Sequence, residues 1–127
     1  MEFTLGKNKK LKSRKTISQL FVEGYSVKSF PLKMIFLPVE TSQEQITKVS
    51  FSVPKRNFKH AVDRNRIKRL LREAYRLHQY EFFKDNDKVY NIMFIYMNRT
   101  MPTYVQVEEK LIKLFTKLNS LDTTTQS

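Results

Sequence analysis

Nine basic residues lie between Lys55 and Arg76, in a stretch with two acidic residues and neither glycine nor proline. Because nothing in this stretch breaks a helix, most of it is predicted to form one unbroken α-helix. At a step of about 100° per residue, five polar side chains fall at one pole of that helix and two arginines flank the pole. The five are Asn65, Lys68, Arg69, Arg72 and Arg76, and the flanking pair is Arg64 and Arg66. Guanidinium groups suit bidentate phosphate contacts, so the predicted chemistry is binding of a polyanion.

The opposite arc of the same helix is apolar and is predicted to pack in a core. It contains Ile67, Leu70, Leu71, Ala74 and Leu77. On the basic face, like charges four residues apart each weaken an isolated helix by about 0.2–0.5 kcal/mol. A solvated basic face is the simpler interpretation. The dominance of arginine, the near absence of acids and the one-sided arc favour a polyanionic partner instead.

The whole chain is basic, with 24 Lys and Arg against 12 Asp and Glu and a net charge of +12 over 127 residues. This length predicts one domain with a modest core, and this charge is typical of a nucleic-acid binder. An anionic membrane is the competing polyanion, but the apolar runs are too short to span a bilayer. There is no signal-peptide pattern and no cysteine, which fits a cytoplasmic location. Two glycines exclude a glycine-rich phosphate cradle.

No set of residues in the sequence is arranged for catalysis by the protein itself. The acidic residues are scattered, and no serine lies in a G-x-S-x-G context. His60 and His78 are far apart and have no cysteine or close acidic partner in the sequence, so neither is predicted to bind a metal. The chain therefore carries binding groups without a catalytic set.

The segment before the basic helix is predicted to contain a basic arm, a short helix and three strands. The arm holds Lys7, Lys9, Lys10, Lys12, Arg14 and Lys15. The short helix, capped by Ser13 or Thr16, runs to about Val22 and ends at Gly24, with Ile17, Leu20 and Phe21 on its apolar side. Extended structure is predicted at residues 25–29, 32–37 (ended by Pro38) and 46–53, where Val49, Phe51 and Val53 alternate with polar residues.

After the basic helix, residues 89–97 are apolar on both faces and are predicted to form a central strand. A last helix begins near Pro102 and Thr103, with Gln106 completing a capping box and a stripe of Val107, Leu111, Leu114 and Leu118. The prediction is one domain over residues 1–127, with about 1–10 and 119–127 flexible.

The aromatic side chains have two predicted uses. Most of Phe36, Phe51, Phe94 and Phe115 are expected in the core. Phe21 and the side of the last strand that carries Tyr90 and Tyr96 are the candidates for stacking with unpaired bases. The sequence leaves open which sheet face the helices cover.

Residues 58–72, FKHAVDRNRIKRLLR, strongly resemble the RNR signature of the bacterial ribonuclease P protein component. The matching positions are Ala61, Arg64, Asn65, Arg66, Lys68, Arg69 and Arg72. The similarity extends over most of the chain, including Phe21 and Gly24, the strand that ends SVPKR, the strand after DKVY and the final helix. A lone R-N-R would be weak, whereas the fifteen-residue pattern with these flanking elements is specific.

The resemblance implies an α+β fold, a single-domain α/β sandwich in the order α-β-β-β-α-β-α. It has a mixed four-stranded sheet with helices packed on it and a left-handed βαβ crossover. It also implies an RNA-binding subunit of the endoribonuclease ribonuclease P, which removes the 5′ leader from precursor tRNA. Catalysis then belongs to the RNA subunit, and Mg²⁺ is bound by RNA and substrate rather than by the protein. The implied partners are the catalytic RNA and precursor tRNA, with a monomer in the ribonucleoprotein and no membrane.

Site residues follow from the resemblance position by position. RNA contacts are implied for the RNR residues, the basic residues after them, and Lys55 and Arg56 at the end of the preceding strand. With Lys59 and Arg76 from the same basic stretch, the predicted set is Lys55, Arg56, Lys59, Arg64, Asn65, Arg66, Lys68, Arg69, Arg72 and Arg76. Phe21 matches an aromatic of the leader-binding cleft. The chain departs from the family at Ile17, where a second cleft Phe is common, and at Ile35, or Phe36 if the register shifts by one, where a Tyr is expected.

Three alternatives stay open from the sequence. A non-catalytic RNA chaperone or ribosome-associated protein would use the same basic face, and reconstitution with ribonuclease P RNA separates it from the main interpretation. A DNA-binding protein would need a helix-turn-helix partner or a dimer spacing, whereas strands flank this helix. A protein nuclease would cleave without RNA, and the missing acidic cluster disfavours it.

Overall fold

A computed structural model describes residues 14–39, 47–84 and 89–125 of the chain. In order, it contains α1 (Arg14–Glu23), β1 (Tyr25–Ser29), β2 (Leu32–Val39), β3 (Lys48–Ser52), α2 (Ala61–Phe83), β4 (Val89–Tyr96) and α3 (Tyr104–Thr125). These three helices and four strands confirm the predicted α+β class and the predicted order. The basic arm at residues 7–12 and the flexibility expected for residues 1–10 lie outside the described residues.

The four strands form one mixed sheet in the spatial order β1-β2-β4-β3. β2 is antiparallel to both β1 and β4, whereas β3 is parallel to β4. The central place of β4 was predicted from its apolar residues on both faces. Parallel neighbours need a crossover connection, and α2 supplies it between β3 and β4. The left hand of that crossover stays a prediction.

Successive side chains of a strand point to opposite faces, so the sheet has two packed faces of unequal size. The larger core lies between the sheet and the helices α2 and α3, and includes Met34, Phe36, Ile92, Phe94 and Phe115. On the other face α1 places Leu20 against Ile35 and Met93, with Ile17, Leu37 and Ile95 at the margin. One face is therefore covered by two helices and the other by a single short helix.

The buried stripe of α2 differs in part from the predicted arc. Ile67, Leu71 and Ala74 are buried as expected, but Tyr75 is buried as well and Leu77 is 47% exposed. Tyr75 packs against Phe115 of α3 and Phe94 of β4. The prediction for Leu77 was wrong because α3 lies on the Tyr75 side of the helix, and helical periodicity does not locate a neighbouring helix.

Strand β2 continues through Pro38, where the sequence predicted that it would end. The physical reason is the length of β1, whose pairing with β2 reaches no further than Phe36. Pro38 therefore lies on a stretch of β2 that has β4 on one side and no paired strand on the other, and such edge positions tolerate a missing N–H. Strand β3 is shorter than predicted, and Ile46, its predicted first residue, lies outside the described residues.

Helix α3 begins with the predicted capping box. Thr103 N donates to Gln106 Oε1 (3.0 Å), and Gln106 N donates to Thr103 Oγ1 (3.3 Å). All four residues of the predicted apolar stripe are buried. The helix extends to Thr125, so it includes part of the segment predicted to be flexible, and the flexibility of that segment stays a prediction. Asn119 Nδ2 donates to Phe82 O (3.4 Å), a contact with α2 that the sequence alone does not reveal.

Candidate nucleic-acid interface

The loop between β3 and α2 is held in place at both ends. Asn57 N and Phe58 N both donate to Pro54 O, at 3.1 and 3.3 Å. Phe58 is buried, and its ring centroid lies 6.1 Å from that of Tyr96 at the end of β4. The basic side chains of this loop are exposed: Lys55, Arg56 and Lys59. An anchored backbone therefore presents three solvent-facing cations just before the basic helix.

Arg64 braces the same loop from the first turns of α2. Its Nη1 donates to Phe58 O (2.8 Å) and to Lys59 O (2.9 Å), two carbonyls of the loop just before the N-cap residue His60. The side chain is half-buried, in contrast to the exposed Arg66. A guanidinium has five N–H donors, so these bonds leave donors for a phosphate. The structure thus gives Arg64, predicted only as an RNA contact, a role in positioning Lys59 and its neighbours.

The rest of the predicted basic face forms a ridge along α2. Asn65, Arg66, Arg69 and Arg72 are exposed, while Lys68 and Arg76 are half-buried. Arg76 pairs with Glu73 one turn earlier on the same helix. Arg72 lies over the ring of Phe51 on β3, with its Cζ 5.9 Å from the ring centroid. The ridge and the β3–α2 loop form one continuous basic surface, here called the basic ridge.

Helix α1 and the sheet face beneath it contain the predicted cleft residues. Phe21 is 57% exposed and Ile17 is half-buried, whereas Leu20 faces the sheet and is fully buried. Ile35 of β2 also lies on this side, where it packs with Leu20 and Met93. The residues predicted for the cleft on this side are therefore one exposed aromatic ring, Phe21, and two aliphatic side chains, Ile17 and Ile35.

Three aromatic residues predicted as possible stacking partners are in the core instead. Phe36, the alternative in β2, is 3% exposed and packs against Tyr25 and Tyr90 on the opposite face from α1. Tyr90 and Tyr96 are buried on that same face. Burial raises the pKa of Tyr96, whose hydroxyl donates to Thr100 O (2.6 Å). The prediction that these three rings are open to stacking was wrong. The alternation of side chains along a strand shows which residues share a sheet face, but not which face the helices cover.

The sequence predicted a polar face on β3 but did not place that face beside α1 or extend it to Asn91. By strand alternation, the α1 side of β3 and β4 also carries Lys48, Ser50, Ser52 and Asn91. Lys48 is exposed and the other three are half-buried. In the sequence, the alternation of Lys48, Ser50 and Ser52 with Val49, Phe51 and Val53 is the pattern that indicates this polar face. Polar hydrogen-bonding groups therefore adjoin the aliphatic part of the cleft.

The histidines have different surroundings. His60 is exposed at the N-cap of α2 and makes no capping bond with its side chain. His78 Nε2 lies 2.8 Å from Glu108 Oε2 of α3, an acidic partner that the sequence did not reveal. The hydrogen bond with His78 lowers the pKa of Glu108. Among residues 14–39, 47–84 and 89–125, no group of three or more His, Asp or Glu side chains is placed to hold a metal ion.

No helix in the described part of the chain is both long and apolar enough to cross a membrane. Its helices instead belong to the cores on either side of the sheet.

Comparison with known proteins identifies relatives over nearly the whole chain. The family model described as Ribonuclease P matches residues 5–119. The ribonuclease P protein component of Porphyromonas gingivalis is 31% identical over 114 residues, covering 87% of this chain and 83% of that protein. The structure of the Staphylococcus aureus RNase P protein aligns with a TM-score of 0.70 at 21% identity, covering 87% of this chain and 94% of that one. The Thermotoga maritima RNase P protein aligns with a TM-score of 0.69 at 21% identity, covering 85% and 96%.

Proposed function

The chain belongs to the ribonuclease P protein family, and from this premise we propose that it binds the catalytic RNA and helps it remove the 5′ leader from precursor tRNA. The observation that carries the proposal is the pairing of two surfaces on one sheet. The basic ridge extends from the end of β3 along α2, and the cleft with Phe21 lies under α1 on the other face. One surface suits a structured RNA and the other suits an unpaired strand.

The basic ridge binds the RNA subunit through its phosphates. Arginines at 66, 69 and 72 are exposed on successive turns of α2, and Lys55, Arg56 and Lys59 extend the surface at its N-terminal end. Contacts of this kind fix the orientation of the protein on RNA without reading base sequence. The bonds of Arg64 to the loop carbonyls set the position of these cations before RNA arrives.

The cleft under α1 binds the single-stranded leader. Phe21 supplies a ring for stacking with an unpaired base, and Ile17 and Ile35 supply the apolar wall. Lys48 and the polar side chains beside it contact the sugar–phosphate backbone. With one exposed ring in this cleft wall, stacking contributes less to leader binding here than in relatives with more cleft aromatics.

Cleavage itself is assigned to the RNA subunit and to Mg²⁺ held by RNA and substrate. The described side chains do not fit a metal site, so no step is assigned to a metal bound by this chain. The contribution of the protein is electrostatic. With a net charge of +12, it lowers the repulsion between catalytic RNA and substrate, which lets cleavage proceed at lower Mg²⁺. We place this activity in the cytoplasm, with one protein chain per ribonucleoprotein.

The test is precursor-tRNA cleavage at low Mg²⁺ by a bacterial ribonuclease P RNA, with and without the protein. We expect cleavage at the mature 5′ end to depend on the protein and to fall when Arg66 and Arg69 are both changed to Ala. The matched control is Lys84→Gln with Lys113→Gln, which removes two charges outside the basic ridge.

Three results would overturn parts of the proposal. RNA binding without stimulation of cleavage would favour the RNA-chaperone alternative. Cleavage by the protein with no RNA subunit would show that the chain carries its own catalytic residues. Equal activity at low Mg²⁺ with and without protein would refute the electrostatic role.

A further inference from the structure

The hairpin of β1 and β2 places two lysines opposite each other. Lys28 of β1 pairs in register with Lys33 of β2, so both side chains extend from the same face of the sheet. Like charges directly opposite each other destabilise an antiparallel pair. On the opposite face, where α3 packs, Lys117 donates from its Nζ to the backbone oxygen of Lys28. Lys33 also pairs with Ile95 of β4, so both lysines extend on the α1 side of the sheet, and the proposed function does not use them.

An exposed phenylalanine lies at the tip of the same hairpin. Phe30 is 58% exposed in the turn between β1 and β2. The turn is tied to the end of β4, because Met97 N donates to Pro31 O (2.8 Å). Arg99, two residues beyond Met97, is also exposed. An aromatic ring in solvent, with cations on both connected segments, is the arrangement that binds unpaired nucleotides by stacking and charge.

The sheet topology brings this hairpin to the same end of the molecule as the basic ridge. Strands β3 and β4 are parallel, so the loop after Ser52 and the segment after Tyr96 leave the sheet at the same end of the strands. The contact between Phe58 and Tyr96 joins them, and the bond between Met97 and Pro31 continues the connection to the hairpin. Three strand spacings of about 4.8 Å lie between β1 and β3 in the sheet, so these two strands are roughly 14 Å apart.

The segments at this end of the sheet contain no acidic residue. The three segments that meet there, residues 25–33, 52–60 and 96–104, contain neither Asp nor Glu. Asp63 in the first turn of α2 is the nearest acidic residue in the sequence to the loop, and it follows these segments. These three connected segments therefore carry basic side chains with no acidic residue among them.

We infer that Lys28, Phe30, Lys33 and Arg99, here called the hairpin patch, bind the RNA that lies on the basic ridge. Phosphates of one strand contact the two lysines and Arg99, and an unpaired base stacks on Phe30. This inference rests on the proposed function, because the β3–α2 loop of the basic ridge lies at the same end of the sheet, and that proximity selects RNA over other polyanions. The patch extends the RNA contact from one helix to the whole end of the sheet.

The experiment measures the affinity of the full chain for ribonuclease P RNA as a function of salt concentration. Lys28→Gln with Lys33→Gln removes two phosphate contacts, so we expect the slope of log affinity against log salt to fall by about one to two units. Phe30→Leu removes the stacking ring, and we expect affinity to fall about tenfold with an unchanged slope. Because Lys28 and Phe30 are exposed and Lys33 is half-buried, circular dichroism is expected to show native folding in each variant.

The matched control is again Lys84→Gln with Lys113→Gln. It removes the same number of charges, from the C-terminal end of α2 and from α3. If the control reduces the slope as much as the hairpin variant does, the effect is one of net charge and the hairpin patch is refuted. If neither hairpin variant differs from the unaltered protein, the patch is refuted while cleavage at low Mg²⁺ still tests the proposed function separately.

Vesicles of phosphatidylglycerol and phosphatidylcholine provide a second arm. Loss of vesicle binding in the hairpin variants, with RNA affinity unchanged, would assign the patch to an anionic lipid surface and overturn the inference. Failure of the unaltered protein to stimulate cleavage, with salt slopes that still differ as expected, would refute the proposed function and keep an RNA contact at the hairpin.

Discussion

Arg64 and Arg66 have the same side chain two positions apart, but the fold gives them different surroundings. Arg64 is half-buried and bonds two loop carbonyls, whereas Arg66 is exposed. A hydrogen bond from a charged donor contributes about 1.5–3 kcal/mol to stability, and a solvent-facing side chain contributes little. The same substitution at the two positions should therefore separate a positioning residue from a phosphate contact.

We expect Arg64→Ala to lower the free energy of unfolding by about 2 kcal/mol, because two carbonyl partners are lost. Arg66→Ala should leave stability within about 0.5 kcal/mol and lower the salt slope of RNA binding by about one unit. Urea unfolding and salt titrations measure the two effects. Arg64→Lys is the control, since it keeps the charge but lacks the planar fork. Equal stability of the two alanine variants would contradict the bracing role of Arg64.

At the scale of elements, Gly24 decides how α1 meets the sheet. Its N donates to Leu20 O (2.9 Å) at the end of the helix. A Cβ built at this position would lie 2.4 Å from Leu20 O and 2.9 Å from Ile35 Cγ2. Both distances are shorter than van der Waals contact, so a larger residue requires the helix end to move away from β2. The position of α1, and with it that of Phe21, depends on this glycine.

Replacing Gly24 by Ala should destabilise the protein by about 1–3 kcal/mol, the usual cost of overpacking. It should also weaken leader binding, because α1 carries Phe21. Thermal unfolding and the affinity for a leader-bearing precursor tRNA measure the two effects. Ser26→Ala, at an exposed position of β1, is the control. Unchanged stability of Gly24→Ala would show that α1 can shift at no cost.

The contact between α2 and α3 includes an ionisable pair. His78 lowers the pKa of Glu108 by hydrogen bonding, and Tyr104 donates a further bond to the same carboxylate oxygen (3.3 Å). A carboxyl whose pKa is lowered on folding stabilises the protein at pH values above its unfolded pKa. That stabilisation is lost as the pH falls through the folded value.

Glu108→Gln should therefore be less stable than the unaltered protein at pH 6. The difference should shrink as the pH falls below 4.5, the ordinary value for the carboxyl, because Glu108 then becomes protonated. Urea unfolding from pH 3 to pH 7 measures this dependence. Glu109→Gln, on the neighbouring and more exposed position of α3, is the control. A difference that stays constant over this range would contradict a contribution from the ionised carboxylate.

For the whole molecule, the sheet keeps the two proposed RNA surfaces apart. α2 and α3 pack on one face and α2 carries most of the basic ridge, while α1 covers only part of the other face, the proposed site of the unpaired strand. The net charge of +12 acts on both surfaces through the field of the whole protein. The affinity for ribonuclease P RNA should therefore fall with salt more steeply than the contact of one basic residue with one phosphate would predict.

Binding to ribonuclease P RNA should weaken by about 10³-fold or more between 50 and 200 mM salt, as expected for six or more phosphate contacts. Filter binding or fluorescence anisotropy at constant Mg²⁺ measures the dependence. Replacing chloride by glutamate controls for specific anion effects. A loss of less than about tenfold over this range would mean that few of the exposed cations contact phosphate.

The sequence by itself determined the number, type and order of the elements in the described part of the chain. It also located the basic stretch and the capping box of α3. These features depend on residues a few positions apart, so periodicity, capping and charge spacing are enough to predict them. The same local rules identified β4 as central and Val107, Leu111, Leu114 and Leu118 as one buried stripe.

The tertiary structure alone decided which side chains of those elements are accessible. Tyr90 and Phe36 are buried because α2 and α3 cover their face of the sheet, and Phe21 is exposed because α1 covers only part of the other. Arg64 braces a loop because that loop folds back against the helix. The hairpin patch exists because the end of β4 joins the β1–β2 turn to the loop after β3. Each depends on contacts between residues distant in sequence, which local patterns do not specify.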